Sequence, residues 1–175
     1  MFESFMEDCP NIQPVWLPQL PLLSFPLPPQ ALQLMQQPSL TRAFKSLGGE
    51  FTVRVLYLGE GGGDVWLPHP ESAACFIRDV LLAYNGTPVV WARSLCLSEA
   101  TQWRSILDCG SRPLGEQLFD GSLDVQRTPV EYAAVEGCVL PDINEEPLAA
   151  RRSVFSLHGH ALGLIECFLA GIAQV

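Results

Sequence analysis

The sequence has 175 residues, nearly half of them apolar, and a formal net charge of −9, which suits one domain with a real core. Its ten Lys and Arg residues are spread from Arg42 to Arg152 rather than gathered in a run, which argues against a nucleic-acid partner. No window approaches the roughly 18 unbroken apolar residues that a membrane helix needs, so a soluble protein without membrane insertion is expected.

The first 41 residues carry no Lys or Arg, and seven prolines fall between Pro10 and Pro29. A secretory signal has a basic start and an uninterrupted apolar centre, so none is read here and a cytoplasmic location is expected. Residues 8–30 cannot form a regular helix, because each proline removes a donor and clashes with the preceding turn. Residues 1–30 are therefore read as a Pro-rich extended segment packed on the domain, anchored by Trp16, Leu20, Leu23 and Phe25. Residues 31–175 are read as the domain itself. The cysteines (Cys9, Cys75, Cys96, Cys109, Cys138, Cys167) show no C-x-x-C pair and no zinc-like spacing with His. In a reducing compartment they are expected to be free, mostly buried thiols rather than disulfides or metal ligands.

Ser39 reads as an N-cap, followed by Leu40, Ala43, Phe44 and Leu47 on one helical face until Gly48. The alternating run from Phe51 to Gly59 predicts a strand, ending in the glycine-rich 59–63. That run lacks the Lys-Ser/Thr and helix of a phosphate loop and is read as a connection. Two β-type runs, ACFIRDVLLAY and TPVVWARSLCL, flank Asn85-Gly86, the dipeptide best suited to a type I′ turn. Ser98 is expected to cap a helix through Leu107, and Pro113 to open another, LGEQLF. A strand over Arg127 to Val135, interrupted by Pro129, precedes an acidic loop from Asp142 to Pro147. A second hairpin, RRSVFSL and ALGLIECFL around His158-Gly159-His160, closes the chain. Strands joined by tight turns, with helices grouped between them, indicate an antiparallel sheet in an α+β domain.

Two charges stand out inside apolar strands. At period two, Arg78 shares a face with Phe76 and Val80, and Glu166 shares one with Leu164 and Phe168. A lone buried charge costs several kcal/mol, on the order of the effective penalty after relaxation, so something must meet each of them. Either the two form a buried ion pair or reach the sheet edge, or both line a cavity that a polar ligand completes. Trp66, Trp91 and Trp103 could stack on an aromatic ligand or serve as core, and the histidines sit in turns and loops where polar residues are expected.

From about Leu40 to Leu169 the segments FIRDVLLAYNGTPVVWARS, RPLGEQLF and ARRSVFSLHGHALGLIECFL resemble the chorismate lyase family. The resemblance implies about six antiparallel strands, with helices and helical flaps enclosing an internal ligand site. It also implies elimination of pyruvate from chorismate to give 4-hydroxybenzoate for ubiquinone biosynthesis, without redox cofactor, metal or covalent intermediate. In the family an arginine and two backbone N–H groups hold the product carboxylate, and a glutamate holds its hydroxyl. The arginine corresponds to Arg78 and the glutamate to Glu166, the pair expected to carry catalysis. The backbone donors correspond to Leu114 and to Leu40, where the family more usually has methionine. Both positions also begin predicted helices, whose free N–H groups attract a carboxylate.

Glu166 is expected to act as general acid on the departing ether oxygen, with burial favouring the protonated carboxyl. General base catalysis, or positioning of a concerted hydrogen transfer, are the other readings. The second carboxylate of chorismate needs its own cation; Arg93, on the partner strand of the hairpin, is the candidate, the alternative being a solvated strand residue. The Pro-rich start and His158-Gly159-His160 depart from the family pattern. The rival reading is a non-catalytic effector-binding domain like that of GntR-type repressors, but the Pro-rich start leaves no room for their DNA-binding module. A monomer is expected.

Overall fold

Apolar alternation along the chain is realised as one seven-stranded sheet in a computed structural model that describes residues 14–64, 66–135, 137–140 and 142–175. The long strands are β1 (Phe51–Gly61), β2 (Cys75–Tyr84), β3 (Thr87–Leu97), β6 (Ala149–Leu157) and β7 (His160–Phe168). The stretch read as one strand with a proline break is two short ones, β4 (Gln126–Arg127) and β5 (Glu131–Ala133). Pro129, between them, has no N–H to give to a ladder. The order is β1-β2-β3-β7-β6-β4, with β5 also on β6, and every pairing is antiparallel.

The β2–β3 hairpin turns at Asn85 (φ 49°) and Gly86 (φ 78°), the two positive values that a type I′ turn demands. Asn85 also ties the turn to the start of β1, accepting from the Glu50 N–H through Oδ1 at 2.9 Å. Just after the turn, between Leu82 and Ala83, the register shifts: Ala83 faces Pro88 but Leu82 faces Val90, which leaves Val89 as an extra residue. That bulge decides which side chains of β3 face which side of the sheet.

One face of the sheet is covered by helices. α1 (Pro29–Met35) and α2 (Leu40–Ser46) pack over Val80, Leu82, Val90 and Phe168. α3 (Thr101–Leu107) and α4 (Leu114–Phe119) pack over Cys96, Phe155, Leu162 and Leu164. The opposite face is covered by connecting segments that carry Trp66, Leu67, Val135, Cys138 and Leu140 onto Ile77, Trp91, Leu95 and Ile165. All three tryptophans considered as stacking platforms, Trp66, Trp91 and Trp103, are fully buried in these cores. A 3-10 turn, Ala170–Gln174, ends the chain against β3.

Three local expectations are corrected. α1 lies at the end of the Pro-rich segment, where a helix was not anticipated; Pro29 occupies its first position, where the missing N–H costs no hydrogen bond. Ser98 does not cap α3, which starts at Thr101 after Ala100. Its hydroxyl instead donates to the Glu60 carboxylate of β1. Cys138 is disulfide-bonded, whereas Cys75, Cys96, Cys109 and Cys167 are free; a disulfide depends on Cβ atoms brought together by the fold, which spacing in the chain does not report.

From residue 14 to Pro28 the described chain is irregular apart from a two-way bridge between Leu17 and Tyr132. Trp16 meets Trp66 edge-on at 6.2 Å, with the Arg152 guanidinium 4.2 Å from its ring. Leu20, Leu23 and Leu27 pack on the helical face. Residues 8–13 of the segment read as extended, with Cys9, lie outside the described residues. No helix among the described residues is long and apolar enough to cross a membrane.

Candidate active site

Arg78 of β2 and Glu166 of β7 lie on the helical face, separated by β3. Two strand spacings across the sheet and a two-residue offset along it put their backbones roughly 12 Å apart. On β3 the residue opposite Arg78 is Ser94, and the residue opposite Glu166 is Ala92. Because both are small, the middle of the sheet lacks the side-chain volume needed to fill the space beneath the helices. The result is a cavity walled by Val53, Val80, Leu82 and Leu164, with Arg78 and Glu166 both on its surface.

The two charges are buried, Arg78 at 2% and Glu166 at 8% exposure, yet they do not bond to each other. Arg78 donates through Nη2 to the carbonyls of Gly110 (2.9 Å) and Arg112 (3.1 Å). Neutral carbonyls orient the guanidinium without cancelling its charge, and no carboxylate pairs with it among the described residues. Burial holds its pKa below the usual arginine value, with Cys109 acting in the other direction.

Glu166 is met by Arg151, which stands directly opposite it on β6. Arg151 Nε donates to Glu166 Oε2 at 2.6 Å, and Nη1 donates to the carbonyls of Met35 (3.1 Å) and Gln37 (2.5 Å). Arg151 is thus a buried cation beside Glu166 that the reading of the sequence did not include. The other carboxylate oxygen of Glu166 has no partner among the described residues.

Leu40 and Leu114, the first residues of α2 and α4, also line the cavity. Neither backbone N–H has an acceptor among the described residues, as expected of a first helical turn. Ser39 caps α2 by accepting from Arg42 N at 3.3 Å. The two helices close over the cavity together. Lys45 is ion-paired with Glu116, and Arg42 Nη2 reaches the Phe119 carbonyl at 3.0 Å.

Arg93 is not brought to this cavity. The bulge at Val89 turns it to the opposite face, where it sits across from Asp79. There it makes two bonds of 2.9 Å to the Asp79 carboxylate and one of 3.1 Å to Asp64 Oδ2. Burial works against its charge, but the two carboxylates outweigh burial and raise its pKa. Burial raises the pKa of both Asp79 and Asp64, with Arg93 opposing.

Two arginines that sequence reasoning passed over stand at the site instead. Arg151 holds Glu166. Arg127 lines the cavity from β4, directed inward because it lies opposite Phe155, a helical-face residue of β6. In the adjacent pair Arg151-Arg152 a strand must send one side chain to each face. That signal identifies a buried arginine without saying which of the two it is.

Comparison with known proteins gives one family. The profile described as Chorismate lyase matches residues 13–174. A probable chorismate pyruvate-lyase of Shewanella loihica is 32% identical over 167 residues, covering 85% of each chain. One from Aromatoleum aromaticum is 32% identical over 157 residues, covering 78% of this chain and 82% of the relative. Among solved structures, the effector domain of PhnF from Mycobacterium smegmatis is similar in fold, with a TM-score of 0.51 at 12% identity over 75% of this chain and 88% of that one.

Proposed function

Because this chain belongs to the chorismate lyase family, we propose that it eliminates pyruvate from chorismate to give 4-hydroxybenzoate, a step that supplies ubiquinone biosynthesis. The observation that carries the reading is the opposition of Arg78 and Glu166 across one largely apolar cavity. An aromatic ring with an anion at one end and a hydroxyl at the other is the shape and polarity such a cavity accepts.

In this reading Arg78 grips the ring carboxylate through its planar fork, and the free N–H groups of Leu40 and Leu114 complete the contact. Glu166, fixed on one side by Arg151, offers its remaining oxygen to the ring hydroxyl. The ether bond on the adjoining carbon breaks, and its electrons leave with the enolpyruvyl oxygen. The hydrogen on the hydroxyl-bearing carbon is lost as the ring becomes aromatic, and a proton is gained at the enolpyruvyl methylene to give pyruvate. Atoms and charge balance without a co-reactant, and the gain of aromaticity supplies the driving force.

Incubating the purified protein with chorismate tests the assignment. Equimolar 4-hydroxybenzoate, followed by absorbance, and pyruvate, followed by a coupled assay, are expected. Tight binding of 4-hydroxybenzoate without turnover would instead make the chain a binding module. Glu166→Gln then separates two roles: activity within a few-fold of wild type makes Glu166 a positioning group, whereas a fall of about 10²–10⁴ gives it the proton.

A further inference from the structure

Arg127 is a cation that the carboxylates of the described chain leave unclaimed. Its Nε donates to Ser153 Oγ at 3.0 Å and its Nη1 to the Pro38 carbonyl at 2.7 Å. Its guanidinium carbon lies 5.3 Å from the Phe119 ring and 5.1 Å from the Phe155 ring. All of these partners are neutral, and no carboxylate lies at ion-pairing distance among the described residues. The second terminal nitrogen, Nη2, has no acceptor among the described residues.

The position of this cation is informative. Arg78 and Arg127 lie four strands apart in the sheet order, with β7, the strand of Glu166, between them. Burial lowers the Arg127 pKa, and Glu166 is the strongest charge acting the other way, so the two groups sense each other. Glu166 is itself matched by Arg151. Among the described residues, the cavity therefore presents two guanidinium groups without a carboxylate partner, one from β2 and one from β4.

Chorismate carries two carboxylates, one on the ring and one on the enolpyruvyl ether. With the ring carboxylate at Arg78 and the hydroxyl at Glu166, the ether on the carbon beside that hydroxyl must project to the Glu166 side of the cavity. Resting on the lyase reading above, we propose that Arg127 is the positioning residue that receives the enolpyruvyl carboxylate and makes the site prefer the dianionic substrate over its monoanionic aromatic product. It takes the role expected from sequence of Arg93. Its fork is preset by Ser153 and by the Pro38 carbonyl, two residues before Leu40. One anion contact thus adjoins the α2 end of the other.

The test compares two probes that need no turnover: 4-hydroxybenzoate, and 3-(carboxymethoxy)-4-hydroxybenzoate, which restores a second carboxylate beside the hydroxyl. Wild type should bind the dicarboxylate about tenfold or more tightly than Arg127→Gln does, the scale of a charged hydrogen bond. Affinity for 4-hydroxybenzoate should agree within about twofold between the two proteins. Arg127→Lys, which keeps the charge but loses the fork, should fall between them and covers the case in which Arg127→Gln folds poorly. In turnover, the KM for chorismate should rise in the same order. Equal losses for both probes, or no loss for either, would overturn the proposal. Absence of chorismate turnover in wild type would instead strike the lyase reading and leave the probe comparison standing on its own.

Discussion

Thr41 of α2 and Gly115 of α4 are in such close approach that a methyl group added at Gly115 would stand 2.8 Å from Thr41 Oγ1 and 3.3 Å from its Cβ. Glycine is what lets the two helices meet over the cavity. Gly115→Ala should wedge them apart at a cost of about 1–3 kcal/mol, typical of an extra methylene in a tight contact. The expected result is affinity for 4-hydroxybenzoate weakened by about tenfold, measured by titration calorimetry, with little change in the far-ultraviolet spectrum. Unchanged affinity would mean that the helices do not need this contact to close.

The Arg151–Glu166 pair makes a stability prediction. Arg151→Met leaves a buried carboxylate without its cation and two carbonyls, Met35 and Gln37, without their donor. Removing one partner of a buried pair costs about 3–5 kcal/mol. Replacing both, in Arg151→Met with Glu166→Leu, should recover much of that loss while abolishing activity. Urea unfolding reads both variants; a single variant within about 1 kcal/mol of wild type would show that the pair does not form in solution.

On the other face, Asp79 and Asp64 share the single guanidinium of Arg93, and burial raises both carboxyl pKa values. An acid whose folded pKa exceeds its unfolded value contributes stability that is fully present below about pH 3.9 and is lost as pH rises through the folded value. Asp64→Asn removes one of these titrations and relieves Asp79 of a like charge. Its melting temperature should therefore fall less steeply than that of wild type as pH is raised from about 4 toward neutrality. Parallel curves would show that Asp64 titrates as an ordinary surface acid.

How much of this was legible beforehand depends on the kind of signal. Arg78 and Glu166 declared themselves because a charge at a core position of an alternating strand has few explanations, and the family segments named the same two residues. The hairpin of Asn85-Gly86 was legible from turn chemistry alone. Arg93 was not, for a reason that can be counted: without the bulge, pairing outward from the turn sets Arg93 opposite Arg78, on the same face. The extra residue at Val89 moves it one place and to the other side. Arg127 was hidden differently. Its strand has only two residues, too few for any periodicity, and its direction is known only once Phe155 is seen beside it.

Ala92 and Ser94 give the cavity its existence by what they lack. A protein interior normally fills to crystal-like density, and here two slim residues on a central strand hold open a hollow that larger ones would erase. Selection for a sturdier fold would favour bulk at these two places, and selection for chemistry must keep resisting it. The hollow is thus a standing debt of stability, renewed for as long as the pocket is used.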